Sequence, residues 1–308
     1  MTNTAKESST FYVFQFWNSG LESAPAVVKS CIESWRLGCS GYGFEYVLID
    51  ENTLPHWEER IGGDFGKALE EFRLHARCWP DAKWRRYSDM LRLALLSKFN
   101  GIWADSTLLL TKPLKEWLPD PITAGGLQLC RGVGESIESW FICSLSKSSL
   151  LEEWARHYIE YNVEVQRDAS QYQAKKLSVP GLMFRLQHSV PRAKRWWFGW
   201  VLRKVYRRQP YFAIYYSFDY VLHKRKSEDD LYKLYLPYDL HAWSTFNTNQ
   251  RPNWQLKDFN STMRAHIERM PFIKLDWKRS PSEPLQEVSE QLVLRALWDL
   301  SMKRLKPD

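Results

Sequence analysis

The 308-residue chain carries 43 Lys and Arg against 36 Asp and Glu residues, a formal net charge of +7. Its hydrophobic fraction of 44% and charged fraction of 26% are those of an ordinary globular protein, which excludes a disordered or fibrous chain. The five cysteines form no C-x-x-C pair, and the sequence shows neither a signal-peptide pattern nor a run long enough to span a bilayer, so we expect a cytoplasmic protein without a disulfide framework.

The first elements are predicted to be a strand, a helix and a strand. Residues 11–17 (FYVFQFW) and 44–49 have the composition of strands, and residues 25–35 carry one apolar side of a helix. This order is a βαβ unit, which predicts a parallel sheet with a right-handed crossover. Ligands of such sheets lie beyond the carboxyl ends of the strands, where Trp17 and Asp50 are expected. The alternative for Trp17 is a position in the core.

Short helices are expected between residues 52 and 84, with Glu58 on a solvated face. A longer helix follows, capped by Ser88 and ended by Asn100-Gly101. Residues 102–110 then read as a buried strand that is interrupted by Asp105, Ser106 and Thr107. Because a buried strand has no structural use for this polar break, we place the functional site there.

The run from Ser88 to Leu114, SDMLRLALLSKFNGIWADSTLLLTKPL, closely resembles the hallmark segment of the bacterial capsular polysaccharide synthesis glycosyltransferases. In that family, related to mannosyltransferases and clostridial-toxin sugar transferases, an S-D-x-x-R helix leads into a Gly-Gly strand. An Asp-x-Asp or Asp-x-Thr turn then holds a nucleotide sugar. Here Asn100 replaces the first glycine, and Thr107 stands where the second carboxylate often lies. At 308 residues the chain could form two domains, but α/β enzymes often run this long as one, and we expect a single domain over residues 1–308. The resemblance implies an α/β fold with a GT-A-like (Rossmann-like), mostly parallel sheet flanked by helices.

The resemblance also implies roles for individual residues. Asp89 and Arg92 would bind the donor sugar, although by themselves they could form only an i, i+3 salt bridge worth about 0.2–0.5 kcal/mol. Asp105 would bind ribose or a metal-bridged phosphate and act in catalysis. With Thr107 it would hold Mn²⁺ or Mg²⁺, which prefer oxygen ligands. The predicted nucleotide-binding set is Gln15, Trp17, Asp50, Asp105, Lys274 and Lys278, the two lysines coming from a K-L-x-x-K run whose charges would neutralise a diphosphate.

A catalytic base is expected near Asp219. Residues 211–216 read as a short strand, and residues 218–223 resemble the family's D-Y-F-x-F-H helix start. Asp219 is the preferred group to take the acceptor's proton, with Asp239 and His241 as alternatives. Strand 139–143, helix 148–161 and a terminal helix over 285–305 complete the prediction.

Residues 166–209 are predicted to form a helical basic insertion. Within 185–208 the chain has eight Lys or Arg residues, no Asp or Glu, and several tryptophans. This composition suits the surface of an anionic membrane, where rings enter the interface and cations meet headgroups. An ordinary surface helix packed on the core is the alternative.

The sequence therefore predicts a glycosyltransferase that moves a sugar from a UDP- or GDP-sugar to a growing capsular or surface polysaccharide, or to a lipid-linked glycan. It would be cytoplasmic, with peripheral contact at the inner face of the membrane and no nucleic-acid partner. A catalytically inactive scaffold of a polysaccharide biosynthesis complex is the first alternative. A nucleic-acid-binding protein, suggested by the positive charge, is the second.

Overall fold

The computed structural model describes residues 10–40, 43–75, 83–118, 126–131, 137–167, 196–197, 199–200, 213–226, 231–236, 265, 268–275, 278 and 282–306. The strands are β1 (Phe11–Phe16), β2 (Phe44–Ile49), β3 (Gly101–Ala104), β4 (Leu108–Leu110), β5 (Leu127–Arg131), β6 (Ile137–Ser144) and β7 (Phe272–Lys274). The helices are α1 (Ala26–Cys39), α2 (Leu54–Ile61), α3 (Gly63–His75), α4 (Lys83–Lys98), α5 (Leu114–Trp117), α6 (Ser149–Arg167), α7 (Ala213–Arg225), α8 (Leu231–Leu234) and α9 (Val293–Leu305).

The main sheet has five strands in the order β2-β1-β3-β6-β5. β1 pairs in parallel with both β2 and β3, while β6 is antiparallel to β3 and β5. Four of the five strands therefore run in one direction, which confirms the predicted mostly parallel α/β sheet. The pairing of β1 with β3 requires glycine at position 101, because a Cβ there would lie 2.2 Å from the Tyr12 carbonyl oxygen.

Helices cover both faces of this sheet. On one face, side chains of β1 and β3 such as Phe14 and Trp103 pack in a cluster with α2, α3, α4, α6 and α7. On the other face, Val13 and Ile102 share a cluster with Trp35 of α1 and with the strands β4 and β7. This alternation of neighbouring residues between two apolar layers explains why the central strands read as continuous apolar runs.

A second, two-stranded sheet joins distant parts of the chain beside the polar break. β4 pairs antiparallel with β7, and Leu108 lies opposite Lys274. The Leu275 N–H extends the pairing by donating to the Thr107 carbonyl at 2.8 Å. The alternation of β7 buries Ile273 and Leu275 against α1 and α9.

Several predicted boundaries were wrong. The helix α4 begins at Lys83, so Ser88 lies inside the helix and does not cap it. The strand predicted over 211–216 is helical from Ala213 onward, which places Asp219 in the middle of α7. The terminal helix begins at Val293, eight residues later than predicted.

Most of the predicted basic insertion lies outside the described residues, as do Asp239 and His241. Within it, Trp196 stacks on His223 of α7 with ring centroids 5.1 Å apart. Among the helices of the described segments, none is both long and apolar enough to cross a bilayer. The single-domain assignment stays a prediction.

Candidate functional site

Asp105 follows β3 directly and lies at the carboxyl end of the parallel strands. Its main chain is fixed from two sides, because its N–H donates to the Trp140 carbonyl at 2.8 Å and its carbonyl accepts from the Gln15 amide at 3.3 Å. The next residue, Ser106, donates its hydroxyl to the Phe16 carbonyl at 2.7 Å. The polar break is therefore a turn anchored to β1 and β6, which aims the Asp105 carboxylate in one direction.

The Asp105 carboxylate is bound by three donors. Oδ1 accepts from the Trp103 indole at 3.0 Å and lies 3.3 Å from Nη2 of Arg92. Oδ2 accepts from the Lys274 ammonium at 2.8 Å. The Asp105 side chain nevertheless keeps 24% of its surface exposed, so a ligand can reach it.

Arg92 holds two carboxylates together. Its Nη2 lies 3.0 Å from Oδ1 of Asp89 as well as near Asp105. Nη2 also donates to the Ser88 hydroxyl, while Nε and Nη1 donate to the Ser88 and Ser139 carbonyls. The guanidinium lies 5.0 Å from the Trp103 ring centroid. With only 5% of its side chain exposed, Arg92 faces protein acceptors more than a ligand.

The two carboxylates have pKa values shifted in opposite directions. Burial raises the pKa of Asp89, and the charge of Arg92 offsets this only in part. Burial would also raise the pKa of Asp105, but Lys274 and Arg92 outweigh that effect and lower it below its ordinary value. Asp105 is therefore held as an anion, while Asp89 is the more easily protonated of the two.

The predicted metal ligands do not fit a divalent ion as they are arranged. The Lys274 ammonium donates to Oδ2 of Asp105 at 2.8 Å and to Oγ1 of Thr107 at 2.7 Å, so a cation already bridges the two predicted ligands. The described residues also contain no cluster of three His, Cys, Asp or Glu side chains suited to a metal. The Mn²⁺ or Mg²⁺ dependence of the protein stays a prediction.

Glu138 is a site residue that the sequence reasoning missed. It lies on β6, two residues before Trp140, and accepts hydrogen bonds from the Trp140 indole and the Tyr215 hydroxyl. Burial raises the pKa of Glu138 to about 7, opposed by these two bonds and by the charge of Lys274, while Asp105 raises it further. The buried Cys130 thiol of β5 also faces it. An acidic residue within an otherwise apolar strand was the available signal.

The other predicted site residues have varied surroundings. Gln15 is fully buried and also accepts from the Tyr46 hydroxyl at 2.8 Å, so it positions Asp105 from inside the core. Trp17 is half-buried against the cluster of α1 and α9. The Asp50 carboxylate accepts from the N–H groups of residues 52 and 53, each at 3.0 Å, at the start of α2.

The remaining two predicted residues lie on the later part of the chain. Asp219 is 7% exposed and lies one turn after Tyr215 in α7. Lys278 is exposed, four residues after Lys274. The structure therefore brings together Asp89, Arg92, Asp105, Thr107 and Lys274, and the binding and catalytic roles of all predicted residues stay predictions.

Comparison with known proteins identifies a family to which the chain is similar. A family model described as "Capsular polysaccharide synthesis protein" matches residues 1–174, which is more than half of the chain. A solved structure titled "PaToxG Glycosyltransferase" is similar at 14% identity and a TM-score of 0.33, covering 74% of this chain and 87% of that one. No curated protein matches.

Proposed function

Because the chain belongs to the capsular polysaccharide synthesis protein family, we propose that it is a glycosyltransferase that uses a UDP- or GDP-sugar. The acceptor would be a growing capsular or surface polysaccharide, or a lipid-linked glycan. One observation carries the proposal: Asp89, Arg92, Asp105 and Lys274 converge through contacts of 2.8–3.3 Å at the carboxyl ends of parallel strands. Ligands of open α/β sheets bind at this edge.

The arrangement suits the departure of a diphosphate. In the transfer, the acceptor oxygen forms a bond to the anomeric carbon, and the bond from that carbon to the diphosphate oxygen breaks with its electron pair on the leaving group. The developing negative charge requires cations that are already in place, because preorganised charge is the largest single source of catalysis in many enzymes. Lys274, with 26% of its side chain exposed, is the accessible cation of the cluster.

Asp89 and Asp105 would accept hydrogen bonds from hydroxyl groups of the donor. Arg92 would act as a positioning residue, since it is nearly buried and holds both carboxylates. The acceptor's proton needs a base. Asp219 was the choice from sequence, and Glu138 is the second candidate because it lies on β6, the strand paired with β3, and its carboxylate interacts with that of Asp105.

Ligand-dependent stabilisation tests the proposal. A ligand that binds only the folded state raises the melting temperature by mass action, so UDP, GDP, CDP and their sugars can be compared in one thermal-shift panel. We expect one nucleotide family to raise the melting temperature and Asp105→Asn to weaken that response. Binding without any transfer or hydrolysis of the donor would favour the inactive scaffold. No response to any nucleotide would contradict the proposal.

We also propose peripheral contact with an anionic membrane through the basic segment. The side chains of Trp197 and Trp200 are 55% and 49% exposed, within a stretch that has eight cationic residues and no acidic ones. Each Lys or Arg near an anionic leaflet contributes about 1 kcal/mol, and salt screens this attraction. The protein should sediment with anionic liposomes at low salt, and a variant with Gln at Arg203, Lys204, Arg207 and Arg208 should sediment less. Equal partitioning onto neutral and anionic vesicles would contradict this.

A further inference from the structure

The Lys274 ammonium lies where a bridging metal ion would be expected. It donates to the Asp105 carboxylate and to the Thr107 hydroxyl, the two groups of the Asp-x-Thr turn that could coordinate a divalent ion. A divalent ion in the same place would lie next to a positive charge, and Lys274 would have to move first.

The position of Lys274 is fixed by the fold. Its main chain pairs with Leu108 across the sheet of β4 and β7, and the neighbouring side chains Ile273 and Leu275 are almost fully buried. The Leu275 N–H donates to the Thr107 carbonyl, which ties the lysine strand to the turn itself. Removing the ammonium from Asp105 would therefore require a new side-chain rotamer and leave Asp105 with Arg92 as its charged partner among the described residues.

An ammonium group has three donors. In the described part of the chain, two of these N–H donors bind Asp105 and Thr107, which leaves the third for a ligand oxygen. A phosphate oxygen is a strong partner for such a donor, because charge-assisted hydrogen bonds are about twice as strong as neutral ones. The ammonium can thus connect a carboxylate, a hydroxyl and a phosphate, which is the set of groups that a magnesium ion would connect.

We propose that Lys274 takes the place of the divalent ion, so that this site binds a nucleoside diphosphate without metal. The inference rests on the proposed function and specifies how the leaving group of that reaction is bound. It also gives Thr107 a role, since a hydroxyl at this position accepts a hydrogen bond from the ammonium without adding the further negative charge of an aspartate.

Calorimetric titration of the full chain with UDP and with GDP, in EDTA and then in excess Mg²⁺ or Mn²⁺, tests the inference. We expect the Kd in EDTA to agree with the Kd in metal within about threefold, or 0.7 kcal/mol. A larger loss of affinity in EDTA would overturn the inference and leave the proposed function standing. Failure of both nucleotides to bind under every condition would instead contradict the proposed function.

Variants of Lys274 give a second readout. Lys274→Ala should weaken binding in EDTA on the order of 10- to 100-fold, the range for a hydrogen bond to a charged group. Added Mg²⁺ or Mn²⁺ should restore part of the affinity, because Asp105 and Thr107 are then free to coordinate it. Lys274→Arg should keep binding in EDTA. Lys67→Ala, which removes the same charge from an exposed position of α3, is the matched control.

Unchanged nucleotide affinity of Lys274→Ala in EDTA would overturn the inference. Circular dichroism and a melting curve should precede each titration, because the variant leaves Asp105 with one cation fewer. If Lys274→Ala does not fold, the wild-type titrations in EDTA still decide between binding with and without metal.

Discussion

Arg92 is expected to be the residue whose loss destabilises the site most. It bridges Asp89 and Asp105 through one nitrogen at 3.0 and 3.3 Å, and its side chain is 5% exposed. In Arg92→Met, Asp105 keeps Lys274, whereas Asp89 loses its ion pair at 3.0 Å and keeps only the weaker influence of Arg86 and Arg85. Removing one partner of a buried ion pair costs about 3–5 kcal/mol, because the remaining charge stays desolvated. Urea unfolding at pH 7 should show a loss of this size.

A control variant separates the effect of burial on the ion pair from the effect of its i, i+3 spacing in a helix. Arg36 of α1 also pairs with an acid three residues earlier, but the side chains of Arg36 and Glu33 are 60% and 36% exposed. Arg36→Met should therefore cost no more than about 0.5 kcal/mol. The deficit of Arg92→Met should shrink as the pH is lowered, since the pKa of Asp89 is already raised by burial and the acid can protonate. Equal, small losses for the two variants would refute the argument from burial.

Three further results are expected. Asp105→Asn and Asp89→Asn should each reduce the transfer rate on the order of 10- to 100-fold by weakening charge-assisted contacts while circular dichroism stays unchanged; near-normal turnover in both would place the active site elsewhere. Gly101→Ala should destabilise the fold by about 1–3 kcal/mol in urea, because its Cβ would meet the Tyr12 carbonyl, and an unaltered midpoint would contradict that close approach. The pKa of Glu138 is raised from 4.5 to about 7 in the folded state, so folding disfavours the ionised form, and wild-type stability should fall by about 3 kcal/mol relative to Glu138→Gln as the pH rises through that range; parallel pH profiles would exclude the shift.

Local sequence patterns predicted the early strands well because those patterns depend on burial alone. β1 and β2 lie within one residue of the predicted ranges, because runs of aromatic and β-branched residues bounded by turn residues are typical of strands. The predicted strand over 211–216 failed because tertiary packing overrides β propensity. In α7 the aromatic side chains pack on α6 instead, with the Trp154 and Phe218 ring centroids 4.8 Å apart.

Buried charges were harder to predict than apolar contacts. Glu58 was expected on a solvated face, but its side chain is 5% exposed and accepts from Arg73 and from the Tyr87 hydroxyl. These partners are 15 and 29 residues away, and no local spacing indicates them. The same limit applies to the site, where the family motif indicated Asp105 and Lys274 separately. Their contact depends on the pairing of β4 with β7 across 169 residues.

The charged residues of the site come from both the N-terminal and the C-terminal part of the chain. The part matched by the family model contributes the acids Asp89, Asp105 and Glu138 and the cation Arg92, and Arg86 also acts on Asp89. Lys274, which lies beyond residue 174, supplies the cation that contacts Asp105 and also acts on Glu138. Above the pKa of Glu138, about 7, the site gains a negative charge that repels a diphosphate. Nucleotide affinity should therefore decrease as the pH rises through 7, and Glu138→Gln should remove most of that dependence in the same titrations. A wild-type affinity that stays constant from about pH 6 to pH 8 would show that Glu138 does not titrate beside the bound nucleotide.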